Sequence, residues 1–266
     1  MESTTQQINF KRSLHLLGVT LYPLTIENLH SLIAEAVTNS KRWIIANHNL
    51  HSIYLYHHDR KMRDFYAKAD YVHVDGMALV LLGKFLGLPL SREHRVTYAD
   101  WTYPLMAEAV QQDWRIFYIG SKPGIAERGA DILRERYPGL QIVTTHGYFD
   151  AHPTSQENQA VLEKINAYQP HVLMVGMSMP RQEHWIADNL ENLSANAILT
   201  AGAAIDYVAG AVPTPPRWAG KLGLEWLFRL LAEPQRLWRR YLVEPWFILR
   251  LFLGELLKFK QRRLNK

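Results

Sequence analysis

The chain has 266 residues, 48% apolar and 21% charged, with a formal net charge of +5 and no cysteine. That length supports one large domain, or a domain with an appendage. The missing cysteines exclude disulfides and thiolate metal sites and fit a reducing compartment. The first eighteen residues show no basic segment leading into an apolar one, so no secretory leader is expected.

Elements follow in chain order from hydrophobic periodicity. "SLHLLGVTLYPLT" predicts a strand pair turning near Gly18, and "IENLHSLIAEAVTNS" a helix with Thr25 as N-cap. "RWIIANHN" is a strand and "HSIYLYHHDRKMRDFYAKA" one helix. After the strand "YVHV" come the helix "MALVLLGKFLG" and a further helix from about Tyr98 to Gln112. "RIFYIG", "LQIVTTHG", "HVLMVGM" and "AILTAGA" are strands, alternating with the helices "GIAERGADILRERYPG", "SQENQAVLEKINAYQ" and "RQEHWIADNL". Continuous apolar strands between helices predict an α/β fold, a Rossmann-like and mainly parallel sheet with helices on both faces. Three prolines between Pro213 and Pro216 mark the expected boundary between a core over residues 1–212 and a helical tail over 213–266.

Charge is uneven along the chain. From Arg217 to Lys266 there are 12 Lys/Arg against 4 Asp/Glu, a charge of +8, which leaves −3 for residues 1–216. Half of the tryptophans sit in that tail, pointing to an anionic membrane surface or a phosphate-bearing ligand. The positive charge tracks Trp and Leu in amphipathic stretches instead of a base-reading motif, so nucleic acid is not the expected partner. The most apolar run, "WFILRLFLGELLKF", has 14 residues and contains Arg250 and Glu255, short of the roughly 20 needed to cross a bilayer.

In an open α/β sheet, ligands collect beyond the carboxyl ends of the strands. The residues that follow these strands are polar: Asn47, His48 and Asn49; Asp75 and Gly76; Gly120, Ser121 and Lys122; Arg181 and Gln182; Asp206. Asp75 is either a turn and capping carboxylate or a catalytic group at the lip of a cleft. "GSKPG" can hold a phosphate on backbone N–H groups at a helix start, or be a tight βα turn. His48, His51, His57 and His58 lack the spacing of a zinc site, and His57 and His58 read as surface residues. No G-x-S-x-G elbow is present.

Seven stretches in order, "NHNLHS", "VDGMALV", "RVTYADW", "YIGSKPG", "VGMSMPRQEHWI", "GAAIDYVAG" and "LEWLFRLLAEPQRLWRRY", resemble the WecG/TagA/CpsF family of bacterial glycosyltransferases. The resemblance runs from about Leu17 to Tyr241. It implies transfer of a sugar from a nucleotide donor, generally UDP-linked, to a sugar on undecaprenyl diphosphate. The site would be the cytoplasmic face of the bacterial inner membrane, with the enzyme bound peripherally. It also implies inversion at the anomeric carbon, no metal or other cofactor, and a C-terminal helical appendage.

By motif, Asp75 matches the general base. Asn49 matches a contact to the sugar or the base, and Asn47 stands where many members have Thr. Arg95 and Gln182 match donor or diphosphate contacts, and Arg181 replaces a common Lys. Arg229, Arg236 and Arg239 match appendage arginines, spaced seven and three apart on one face of a helix kinked at Pro234. They are expected to cover the site and bind diphosphate, while Trp238, Trp246, Phe247, Leu249 and Phe252 enter the headgroup region. No D-x-D stands beside a strand, so cations and helix N-termini must neutralise a UDP leaving group. Tyr98 stands where many N-acetylmannosaminyl and N-acetylmannosaminuronyl transferases have Gly. With the "NHNLHS" variant, this favours a xanthan-type, GumM-like glucosyltransferase using UDP-glucose. The alternatives are an N-acetylmannosaminyl-type donor, or a non-catalytic nucleotide-sugar-binding protein. Self-association into a homo-oligomer is left open.

Overall fold

The first element in the computed structural model, which describes residues 12–212 and 225–264, is a hairpin. Its strands β1 (Leu14–Leu16) and β2 (Val19–Leu21) pair antiparallel, with Leu14 opposite Leu21. Leu17 and Gly18 both take positive φ, 55° and 79°, as a two-residue turn of matching twist requires. α1 (Ile26–Thr38) starts in a reciprocal capping box. Asn28 N donates to Thr25 Oγ1 (3.3 Å), and Thr25 N donates to Asn28 Oδ1 (3.1 Å).

The body is one parallel sheet. Its strands are β3 (Trp43–His48), β4 (Tyr71–Val74), β5 (Ile116–Gly120), β6 (Ile142–Thr145), β7 (Val172–Gly176) and β8 (Ala197–Thr200). They lie in the order β4–β3–β8–β7–β5–β6, every pairing parallel. The strands are mostly apolar because both faces are covered, with polar residues gathered toward their carboxyl ends. Alternate residues serve opposite cores: Ile44, Phe117, Leu173 and Ile198 pack on one side, Ile45, Ile116, Met174 and Leu199 on the other.

The first core is closed by α2 (Leu50–His58), α3 (Arg60–Lys68), α4 (Met77–Phe85), α7 (Gln156–Tyr168) and α8 (Arg181–Asn189). The second is closed by α1, α5 (Tyr98–Gln111), α6 (Ile125–Arg136) and α9 (Ala204–Val208). β3 and β8 are neighbours, yet α2 and α9 leave them on opposite faces. A crevice must therefore open at the carboxyl ends of these two strands.

The single helix expected after β3 is two. Asp59 ends α2 and begins α3, its Oδ1 accepting from Lys61 N (2.8 Å) and Met62 N (3.3 Å). An aspartate inside an amphipathic pattern competes for backbone N–H groups and caps instead of continuing.

The tail is helical, in pieces: α10 (Glu225–Ala232), α11 (Pro234–Trp238), a π-helical turn at Arg239–Val243 and α12 (Glu244–Leu264). The expected kinked helix through Pro234 is absent. Glu233, at φ −136° and ψ 63°, breaks the chain, and Pro234 starts a new helix where its missing N–H costs nothing. Position 229 therefore falls in α10, position 236 in α11 and Arg239 in the π-helical turn, not in one continuous helix. Pro213–Pro216 and the side chains of Arg229 and Arg236 lie outside the described residues.

α12 packs back onto the body. Ile248 is buried in the first core, and Phe247 contacts the rings of Tyr54 (5.6 Å) and His58 (4.6 Å). Phe252 lies 5.6 Å from Phe85 of α4. Phe247 and Phe252, expected in the headgroup region, are thus packing residues. Among the described residues, the large apolar side chains that α12 turns outward are Trp246, Leu249, Leu253 and Leu257. His57 is also no surface residue: it is half-buried, with Nε2 2.9 Å from Leu17 O.

Candidate active site at the carboxyl edge of the sheet

β3 and β4 run in register, Asn47 beside His73 and His48 beside Val74. Asp75 N extends the ladder by donating to His48 O (2.8 Å). Asn49 and Asp75 consequently emerge side by side where the two strands end. Asp75 Oδ2 accepts two side-chain hydrogen bonds, from Asn47 Nδ2 (3.0 Å) and Asn49 Nδ2 (3.2 Å). Asn47 is itself held: Thr200 Oγ1 donates to its Oδ1 (2.7 Å) and Tyr66 Oη to its backbone O (2.9 Å).

Asp75 is not a helix cap. Gly76 occupies the N-cap of α4, which has no side-chain cap bond. Gly76 is required by its backbone, at φ +112°; a Cβ there would meet nothing within 4 Å.

Two cavities meet at this aspartate. The more polar one, of about 430 Å³, is lined by Asn47, Asn49, Asp75, Thr97, Tyr98, Ser178, Gln182, Thr200, Tyr207, Arg239 and Arg240, among others. A second, of about 420 Å³, is mostly apolar in its lining: Leu50, Met77, Ala78, Leu79, Trp226 and Pro245 join Arg95 and Arg240. Asn49, His51, Asp75, Arg240 and Tyr241 belong to both. The tail therefore supplies walls to the site, and it is tied down there: His51 Nδ1 and Glu244 Oε2 lie 2.8 Å apart.

Under the site, burial disfavours the charged form of several groups. It pushes the imidazoles of His48 and His73 down to about 3 and about 4. Burial, reinforced by the nearby Asp75, drives the Tyr98 phenol well above its ordinary value. Glu183, fully buried, is pushed up to about 7.

The other expected residues divide. Gln182 reaches the polar cavity, but its amide is engaged inside the protein: Nε2 donates to Glu183 Oε1 (2.8 Å), and Oε1 accepts from Gly202 N (3.1 Å). Arg95 faces the apolar cavity and pairs with Asp100 at 2.8 Å. Arg181 lines neither; its guanidinium donates to Phe149 O (2.7 Å) and lies over the Phe149 ring.

Ser121 Oγ donates to Asp206 Oδ2 (3.0 Å), and burial raises the Asp206 carboxyl, opposed by Ser121 and Lys122. This group stands beside the polar cavity, next to Ala203 and Tyr207, without lining it. A Cβ on Gly120 would fall 2.3 Å from Gly176 O, so that glycine serves the packing of β5 on β7. Arg239 lines the polar cavity, its guanidinium 5.3 Å from the Trp238 ring. Sequence reasoning missed Thr200 and Glu244, and gave no site role to His51, Arg240 or Tyr241, although these three stand in the quoted motifs. Thr200 carries a signal of its own, a hydroxyl ending an otherwise apolar strand. Among the described residues, no three His, Asp or Glu side chains are grouped to hold a metal, and no helix is long and apolar enough to span a membrane.

Residues 14–262 match the family model described as "Glycosyl transferase WecG/TagA/CpsF family". The chain is also similar to the N-acetylglucosaminyldiphosphoundecaprenol N-acetyl-beta-D-mannosaminyltransferase of Staphylococcus aureus. For strains NCTC 8325 / PS 47, COL and MSSA476 the identity is 26% over 220 residues, covering 80% of this chain and 81% of each relative. These relatives are named for a mannosaminyl sugar, so they lend nothing to the GumM-like glucosyl expectation and agree better with its alternative. With nearly its whole length matched and its polar strand ends gathered about Asp75, the chain belongs to the WecG/TagA/CpsF family of glycosyltransferases.

Proposed function

We propose that the protein is a peripheral, membrane-associated, inverting transferase. It moves an N-acetylmannosamine-type sugar from a UDP donor to N-acetylglucosamine on undecaprenyl diphosphate, at the cytoplasmic face of a bacterial inner membrane. The observation that carries this reading is Asp75, fixed by two amides at the junction of a polar and an apolar cavity. The polar cavity takes the donor and the apolar one the lipid-linked acceptor. The names of the S. aureus relatives support the choice of sugars and carrier.

In this mechanism Oδ2 of Asp75 is occupied by Asn47 and Asn49, and Oδ1 takes the proton of the acceptor hydroxyl. The acceptor oxygen bonds to the anomeric carbon as the bond to the UDP oxygen breaks on the opposite side, so configuration inverts. Arg239 and Arg240, in the polar cavity's wall, offset the charge on departing UDP. Ser121, Lys122 and Asp206, beside that cavity, reach the nucleoside end of the donor. Arg95 holds the acceptor diphosphate from the apolar side.

Outside, Leu81 and Phe85 of α4 and Trp246, Leu249, Leu253 and Leu257 of α12 present exposed apolar side chains, with Arg250 and Lys258 among them. Such a surface docks reversibly on an anionic bilayer. Offering UDP-N-acetylmannosamine and UDP-glucose separately, with N-acetylglucosaminyl-diphospho-prenol as acceptor, tests the reading. Transfer from the first is expected. Transfer from UDP-glucose alone would restore the glucosyl alternative, and turnover of neither would remove both.

A further inference from the structure

We propose that Thr200 is a positioning residue for this reaction: its hydroxyl sets the amide of Asn47 so that Nδ2 is presented to Asp75. A primary amide has two orientations of similar shape, one turning Nδ2 and the other Oδ1 toward a given neighbour. Against a carboxylate only the first is attractive. In this structure it is enforced from the far side, where Thr200 Oγ1 donates to Asn47 Oδ1 at 2.7 Å.

Thr200 is 1% exposed and Asn47 3%, so this hydrogen bond is largely shielded from bulk water. The Asn47 backbone carbonyl is already engaged by Tyr66 Oη. Packing alone does not call for the hydroxyl, because Ala197, Ile198 and Leu199 of the same strand are all apolar and fully buried; valine would fill the space. A chain of two hydrogen bonds, Thr200 to Asn47 and Asn47 to Asp75, therefore runs from the end of β8 across to the base. With Asn49 it occupies Oδ2 and leaves Oδ1 for the acceptor hydroxyl; among the described residues, Oδ1 receives no hydrogen bond.

The role holds only if Asp75 is the base, so the two fail separately under test. The assay measures transfer from UDP-N-acetylmannosamine to a short-chain N-acetylglucosaminyl-diphospho-prenol by the full chain. Thr200→Val is expected to lower kcat about tenfold, the loss of one buried neutral hydrogen bond. Donor KM and UDP affinity are expected to stay within about twofold, since the hydroxyl removed is buried and committed to Asn47. Thr200→Ser, which keeps the donor, should stay within about threefold of the parent in kcat. In an Asn47→Ala background, Thr200→Val should have no further effect on kcat, because its action passes through the missing amide.

Thr200→Ala replaces the valine in the same comparisons if valine unfolds the chain. A parent-like kcat in Thr200→Val, a serine variant as slow as the valine one, or additive losses in the double variant would each overturn the proposal. An inactive Asp75→Asn beside a fully active Thr200→Val would remove only the positioning role. An active Asp75→Asn would remove the base reading itself.

Discussion

Asn49 joins two tasks through one amide: its Nδ2 donates to Asp75 Oδ2 at 3.2 Å while its Oδ1 accepts from Ser52 N at 3.0 Å and caps α2. The tasks separate by substitution. Asn49→Asp keeps a good N-cap acceptor but sets a second carboxylate against Asp75. It is expected to melt within a few degrees of the parent while losing about a hundredfold in kcat. Asn49→Ala loses the cap as well, costing about 1 kcal/mol in a denaturant titration. If Asn49→Asp transferred sugar at the parental rate, Asn49 would be a cap and nothing more.

Glu183 predicts a pH-dependent stability. It is fully buried, Oε2 has no partner among the described residues, and burial pushes the carboxyl up to about 7 from an ordinary 4.5. The folded state therefore holds this proton more tightly than the unfolded chain. The stabilisation is fully present below about 4.5 and is lost as pH rises through about 7. Glu183→Gln carries no charge at any pH. It should match the parent near pH 5 and exceed it above pH 8, by up to about 3 kcal/mol. A stability difference that does not change with pH would refute this.

His48 and His73 act in the other direction. Held down at about 3 and about 4, they favour the folded state above their ordinary 6.5, and that contribution is lost as pH falls toward 4 and below.

The outer faces of α4 and α12 meet where Phe85 lies 5.6 Å from Phe252, and Phe85 is 67% exposed. Replacing Leu81 and Phe85 together by serine removes apolar surface from the body without touching either cavity. Co-sedimentation with anionic vesicles should show affinity weakened at least about tenfold, while a water-soluble short-chain acceptor is still turned over. Unchanged vesicle binding would place the docking surface elsewhere.

The fold was readable because the strands are continuous apolar runs and each helix carries one apolar stripe. The strand-end rule then drew Asn47, Asn49, Asp75 and Gln182 to one crevice. What escaped depended on distances that periodicity does not encode. Asp59 interrupts a helical pattern that would otherwise run on, since its side chain satisfies the N–H groups of Lys61 and Met62. Arg181 keeps the charge that a donor contact would use, yet spends it on Phe149 O, 32 positions away in sequence. The tail arginines were placed on one face by spacing alone, and the break at Glu233 undoes that spacing. Thr200 and Glu244 meet Asn47 and His51 only after the chain has closed over more than 150 residues.

The most direct measurement on the central claim is the turnover and UDP affinity of Asp75→Asn. The substitution keeps the shape and removes the proton acceptor. Transfer to N-acetylglucosaminyl-diphospho-prenol should fall by about a thousandfold or more, while UDP binds within about threefold of the parent. Retained turnover, or a loss of UDP affinity as large as the loss of rate, would contradict Asp75 as the base.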